Sequence, residues 1–142
     1  MHIRLKEYEL YDTPTMQEMI QSFCQQTNLQ AYDKEIAIRK LNQGSPSYKA
    51  FICMLDKKAV GYILVEFTYP IYLDGMILLI REIFVKNEYR KKGIAKQMIK
   101  TVMNDYDKAI SVGVLVNKEN DIAMKLMQSM KFTRKNVELF EK

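Results

Sequence analysis

The segment from Ile77 to Val116 constrains this chain more than any other. A run rich in β-branched and apolar residues, Ile77 to Val85, leads into a short polar turn, Lys86-Asn87-Glu88-Tyr89. An amphipathic stretch follows, Lys91 to about Tyr106, with Ile94, Ala95, Met98, Ile99, Val102, Met103 and Tyr106 on one face. Ala109 to Val116 is then short and nearly all apolar, the pattern of a strand covered on both faces. Two strands joined through a helix lie parallel, and their crossover is expected to be right-handed.

The rest of the chain builds a sheet around that unit. His2 to Glu9 alternates apolar and charged residues and reads as a strand. Asp12-Thr13-Pro14-Thr15 opens a helix whose stripe is Met16, Met19, Ile20 and Phe23, with Asp12 or Thr13 as its cap. A second helix runs from about Asp33 to Asn42 and stops at Gln43-Gly44-Ser45-Pro46. Lys49 to Leu55 and Val60 to Phe67 read as strands of a hairpin turning at Asp56-Lys57-Lys58. Tyr69 to Gly75 is a connection, Asn120 to Met130 a final helix, and Phe132 to Phe140 a closing strand in which Val137 and Leu139 alternate with Glu138. The order is β-α-α-β-β-β-α-β-α-β. It implies an α/β fold, with residues 1–142 as one domain. The sheet is expected to be mixed and mainly antiparallel, with a central parallel strand pair and helices on both faces.

Composition narrows the function. At 142 residues and 48% hydrophobic content, the chain can bury a core and is not disordered. No apolar run approaches the roughly 18 residues a membrane span needs; Met76 to Ile80 has five and Ala50 to Leu55 six. Cys24, Cys53 and the lone His2 make neither a disulfide framework nor a metal site, which suits a reduced, cytoplasmic setting. The formal charge is +5, and it is localised. Arg81 to Lys100 holds seven basic residues against two acidic, an excess equal to the whole chain's; the remainder holds fifteen of each. Such a concentration points to one anionic ligand.

Arg90-Lys91-Lys92-Gly93-Ile94-Ala95 lies where the strand hands over to the helix. A helix start offers unpaired N–H groups and about half a positive charge. A glycine there lets a bulky anion reach the backbone, and the small Ala95 keeps the approach open. The combination favours a diphosphate. The spacing is neither that of a GxxxxGK[ST] phosphate loop nor that of a GxGxxG dinucleotide fingerprint.

Arg90-x-x-Gly93-x-Ala95 resembles the acetyl-coenzyme-A loop of the GNAT family of N-acetyltransferases, and the element order resembles that family's throughout. Lys86 to Arg90 looks like the family's linker into the loop, and Ala59-Val60-Gly61-Tyr62-Ile63 like its third strand. Asn120-x-x-Ala123-x-x-Leu126 looks like the start of the helix after the fifth strand. Two positions depart from the pattern. Met127 stands where a tyrosine often protonates the departing thiolate, and Lys131 stands where the helix usually ends in glycine. Tyr62, Tyr69 and Tyr72 are the candidates to replace the missing tyrosine.

The resemblance implies an acetyl-CoA-dependent N-acetyltransferase acting on a primary amine, of a small molecule or of a peptide, by direct attack in a ternary complex. It implies that the fourth and fifth strands splay and that the co-substrate lies between them. Ile83, Phe84 and Val85 would hold its acetyl carbonyl and pantetheine arm. Arg90, Lys91, Lys92, Gly93, Ile94 and Ala95 would hold its pyrophosphate, and Asn120 would contact the arm besides capping its helix. No metal is implied. Glu82 is the candidate general base, since a carboxylate half-buried between sheet faces acquires the affinity for a proton that the role needs. The acceptor side would be built from roughly Thr27 to Tyr32 and Thr68 to Asp74, with Tyr32, Tyr69, Tyr72 and Asp74 as lining. The chain would work as a monomer or a homodimer. Two other readings compete: a catalytically silent relative that binds acyl-CoA, and a nucleic-acid module using the basic helix. The balanced charge outside Arg81–Lys100 disfavours the second.

Overall fold

A computed structural model describes residues 2–27 and 32–142. β1 (Ile3–Glu7) leads through a short 3₁₀ turn, Leu10–Asp12, into α1 (Thr13–Thr27). Asp12 pins that entry: its carboxylate accepts from the Glu9 N–H at 2.8 Å and from Lys6 Nζ at 2.6 Å. α2 (Lys34–Gln43) is capped by Asp33, whose side chain accepts from the Glu35 and Ile36 N–H groups, and it ends at Gly44 with φ +75°. There follow β2 (Tyr48–Leu55), β3 (Lys58–Thr68), β4 (Ile77–Val85), α3 (Ile94–Asp105), β5 (Ser111–Val114) and α4 (Asp121–Ser129). The strands stand in the order β1-β2-β3-β4-β5. The first four are antiparallel neighbours, and β4 and β5 are parallel.

Two cores form, one on each face of the sheet. Met16, Met19 and Ile20 of α1 and Ile38 of α2 bury against Ala50, Ile52, Tyr62 and Phe84. Ile94, Met98, Ile99 and Val102 of α3 bury against Cys53, Ile63, Val65, Leu78 and Ile80, with Leu126, Met127 and Met130 of the α4 end packing alongside. These helical residues fall at three- and four-residue spacing, as one buried face requires.

The closing strand expected from Phe132 to Phe140 is not formed. Val137, Leu139 and Phe140 are 82%, 87% and 88% exposed, and the backbone there pairs with no strand among the described residues. Alternation supplies a face to bury, but a strand also needs a neighbour, and β5 pairs along only four residues. The parallel pair therefore lies at one side of the sheet rather than at its centre. β5 is correspondingly half-buried rather than covered on both faces.

Candidate active site

The site begins with a break in strand alternation. β3 and β4 pair Leu64 with Glu82 but Val65 with Ile80, so Arg81 is an extra residue, a β-bulge. Unbroken alternation would put Glu82 on the face of Ile80, beneath α3. The bulge turns it to the other face, beneath α1 and α2, with Tyr62 and Phe84. Arg81 itself turns outward to Glu66, 3.7 Å away.

Glu82 is buried, at 9% exposure, and both of its oxygens are engaged. Tyr62 donates to Oε1 at 2.6 Å. Tyr32, just ahead of α2, donates to Oε1 at 3.1 Å and to Oε2 at 3.0 Å. Phe23 of α1 completes an aromatic wall, its ring centroid 6.1 Å from that of Tyr32, 6.3 Å from Tyr62 and 6.5 Å from Phe84. Burial raises the proton affinity of Glu82 above the ordinary carboxylate range, and the hydrogen bonds from Tyr62 and Tyr32 and the charge of Arg81 oppose that rise. Burial first, and then the adjacent carboxylate, push both tyrosines far above their ordinary range, so they stay protonated donors. Sequence reasoning singled out Glu82 but missed its partners. Tyr32 and Tyr62 lie 50 and 20 residues away in sequence, and only the bulged register brings them together. Tyr62, a candidate for the missing acid, has its hydroxyl committed to Glu82. Tyr69 and Tyr72 are exposed on the β3–β4 connection. Of the expected acceptor wall, residues 28–31 lie outside the described residues.

Beside Glu82 the sheet opens. The β4–β5 ladder runs from Ile77 opposite Ser111 to Ile80 opposite Val114, and its last bond is Leu115 N–H to Ile80 O at 3.1 Å. From Arg81 to Val85, β4 is paired with β3 alone. The direction of the free groups follows from three contacts. Lys86 N–H reaches Val60 O at 2.8 Å on the β3 side, the Phe84 carbonyl abuts Gly61, and the Val85 carbonyl instead accepts from Arg90 Nε at 2.7 Å. Since alternate peptide groups face opposite neighbours, the N–H groups of Ile83 and Val85 face the gap.

The gap leads to the basic loop. After a 3₁₀ turn, Asn87–Tyr89, Lys91 and Gly93 adopt left-handed backbones, φ 61° and 76°. Gly93 is the N-cap of α3, and no side chain caps the N–H groups there. A Cβ on Gly93 would meet nothing within 4 Å, so the space beside this helix start is open at Gly93. Lys91 and Lys92 are exposed at its rim, whereas Ile94 is buried and anchors the helix. Arg90 is exposed but folds back along the surface: besides Val85 O it donates to the Gln26 side chain of α1, and its guanidinium lies 5.7 Å from the Phe84 ring centroid. These contacts tie the loop to β4 and α1. On the far side, Asn120 caps α4, its side chain accepting from the Ala123 N–H at 3.1 Å. Met127 packs into the core. Lys131 takes the left-handed conformation usual for glycine, φ 63°, so the helix-ending turn survives the substitution.

An uncapped helix start, open space before it and an unpaired strand edge leading toward a buried carboxylate suit a long, diphosphate-bearing thioester. The acetyltransferase (GNAT) family profile matches residues 9–132, and the chain belongs to that family. It is an acetyl-CoA-dependent N-acetyltransferase. No protein of curated function matches its sequence. Among solved structures, a possible acetyltransferase from Clostridium difficile 630 is 21% identical, with 99% of this chain and 96% of that one covered and a TM-score of 0.86. An aminoglycoside acetyltransferase from an uncultured soil metagenomic sample, in complex with sisomicin, is 20% identical over 99% and 95% of the chains, with a TM-score of 0.80. A ribosomal-protein-alanine N-acetyltransferase from Brucella melitensis biovar Abortus 2308 is 15% identical over 99% of each, with a TM-score of 0.81. At such identities these structures establish the fold. Among the described residues no helix is long and apolar enough to cross a membrane.

Proposed function

We propose that Glu82 is the proton acceptor of this acetyltransferase and that the gap beside β4 is its acetyl-CoA site. The observation that carries the reading is a buried, tyrosine-held carboxylate at the point where β4 leaves β5. When bound, acetyl-CoA supplies an acyl carbonyl open to direct attack by a neutral amine, and a thiolate that leaves. The N–H groups of Ile83 and Val85 orient the acyl and pantetheine portion, and Phe84 backs that strand edge from the core. The N–H groups of Lys91 to Ala95 receive the pyrophosphate at the start of α3, with the Lys91 and Lys92 ammonium groups at the rim and Arg90 holding the loop in place. Asn120 keeps α4 against the gap, and its amide nitrogen is left to meet the arm. Glu82 takes the proton of the acceptor's ammonium, directly or through one water. Neither cysteine offers an alternative covalent route. Burial pushes the Cys53 thiol up to about 12, and burial, then the charge of Glu82, raises Cys24.

The acceptor is a primary amine reaching Glu82 past Tyr32 and the Thr68–Asp74 connection. Aminoglycoside and ribosomal-protein enzymes share this fold, so small-molecule and peptide amines both belong in the first acceptor panel. We place residues 1–142 in one cytoplasmic domain, as a monomer or a homodimer. Glu82→Gln tests the reading. Turnover is expected to fall about 10²- to 10³-fold, the range of general-base contributions, with acetyl-CoA affinity unchanged. Undiminished turnover at saturating amine removes Glu82 from the mechanism.

A further inference from the structure

Glu82 receives two hydroxyl protons, from Tyr62 and Tyr32, and its two oxygens share them unequally. A carboxylate has about four lone-pair positions, two on each oxygen. Oε1 receives the short bond from Tyr62 at 2.6 Å and shares the single Tyr32 proton, whose oxygen is 3.1 Å away. Among the described residues Oε2 meets only that shared Tyr32 proton, at 3.0 Å, which makes it the less engaged oxygen. The two donors also differ in setting. Tyr62 is fully buried in β3, stacked on Phe84 with ring centroids 5.5 Å apart. Tyr32 is half-buried at the start of α2, on the side from which an acceptor would come.

We propose that Tyr62 and Tyr32 are positioning residues for proton transfer, tying down Oε1 so that the carboxylate stays ionised and Oε2 is the atom that takes the proton. The inference rests on Glu82 being the proton acceptor. Tyr62 can donate to Oε1 whether or not Oε2 is protonated, so it is the fixed anchor. Tyr32 bridges both oxygens and must give up its bond to Oε2 when the proton arrives, so it is the movable partner.

Among the described residues the groups facing Glu82 are few. They are Tyr62 from β3, Tyr32 ahead of α2, Cys24 from α1, and the outward-turned Arg81 of β4. Cys24 is itself pushed up by burial and remains a neutral thiol, and Arg81 is partly engaged with Glu66. The tyrosine hydroxyls are therefore the chief means by which this site offsets the burial of a charge. Removing either one must make Glu82 bind its proton more tightly.

The test needs neither acceptor nor acetyl-CoA. In protein labelled with ¹³C at the glutamate side-chain carboxyl, the Glu82 resonance is identified by its loss in Glu82→Gln and titrated in the wild type, Tyr62→Phe, Tyr32→Phe and the double variant. Each single variant is expected to raise the Glu82 midpoint by about one pH unit, the effect of losing one charge-assisted hydrogen bond, and the double variant by more. Tyr32→Phe keeps the test open should Tyr62→Phe perturb the core, because Tyr32 is at its edge. A midpoint that is unchanged or lowered in a folded Tyr32→Phe or Tyr62→Phe variant overturns the proposal. Turnover of Glu82→Gln tests the underlying reading separately. Lost turnover with unmoved midpoints would sink the tyrosines alone, and retained turnover would sink Glu82 whatever the midpoints do.

Discussion

Gly93 borders the gap and Gly61 lies on the opposite, β3 side of β4, and substitution separates their duties. Gly93 needs its left-handed φ of 76°, and a side chain there enters empty space. Gly93→Ala is expected to cost about 1 kcal/mol in stability through backbone strain alone. Its methyl group stands where an anion would meet the α3 donors, so acetyl-CoA affinity should fall roughly tenfold or more as those hydrogen bonds lengthen. Gly61 sits differently: a Cβ there would lie 2.2 Å from the Phe84 carbonyl oxygen, a backbone atom that cannot swing aside. Gly61→Ala must push β3 from β4 and is expected to cost about 3 kcal/mol, seen as a Tm lower by roughly 10 °C. Thermal melts with and without acetyl-CoA distinguish the two: a loss of ligand shift for Gly93→Ala, a loss of intrinsic stability for Gly61→Ala. Glu82 carries a different signature. Because burial raises its proton affinity in the folded state, the native protein holds that proton to higher pH than the unfolded chain does. The stability from this group is fully present below the unfolded value near 4.5 and is lost as pH rises through the folded value. Glu82→Gln, which stays neutral, should match the wild type in Tm near that lower limit and overtake it as pH rises through the folded value. A Tm difference that is flat or opposite in sign would show that the ionised carboxylate is fully compensated.

Among the elements, legibility followed the reach of local pattern. α3 and β4 were readable because Ile94, Met98, Ile99 and Val102 keep helical spacing while Ile77 to Val85 is strongly strand-forming. The basic loop was readable because a glycine, small neighbours and cations coincide at a helix start. The bulge at Arg81 was not, since nothing in Leu79-Ile80-Arg81-Glu82 marks which residue is extra, and the face of Glu82 depends on that choice. The missing last strand was misread for the same reason: Val137-Glu138-Leu139 specifies alternation but not a partner. Lys131 is the instructive middle case. It stands where the family usually has glycine, yet Phe132 N–H bonds Met127 O at 3.0 Å and Lys131 N–H bonds Gln128 O at 3.0 Å, the paired bonds of a Schellman ending. The helix therefore imposes a left-handed backbone on a lysine. Lys131→Gly should relieve about 1 kcal/mol of that strain and raise Tm by a few degrees, partly offset by glycine's greater freedom in the unfolded chain. An unchanged or lower Tm would mean that the lysine side chain repays its strain through contacts at the end of α4.

At the scale of the whole molecule, the charge excess acquires a direction. The ion pairs among the described residues engage Lys6, Lys49 and Arg81, so of the cations between Arg81 and Lys100 only the first is paired with a carboxylate. Arg90 is folded against β4 and α1. Lys91 and Lys92 face solvent without such contacts, beside an uncapped helix start. Two contributions to anion binding can then be separated by salt. The N–H groups act at contact distance and are weakly screened. The exposed ammonium groups act through water and fade as the screening length falls from about 10 Å at 0.1 M salt to about 3 Å at 1 M. Lys91→Gln with Lys92→Gln should weaken coenzyme A binding roughly tenfold at low salt, from about 0.7 kcal/mol for each exposed cation. Near 1 M salt the variant and the wild type should converge, because the lysines are screened while the backbone donors remain. Calorimetric titration at the two ionic strengths decides it. A variant as weak at high salt as at low would place these lysines in direct contact with the phosphates, and one that never differs from the wild type would leave the helix start as the whole of the phosphate site.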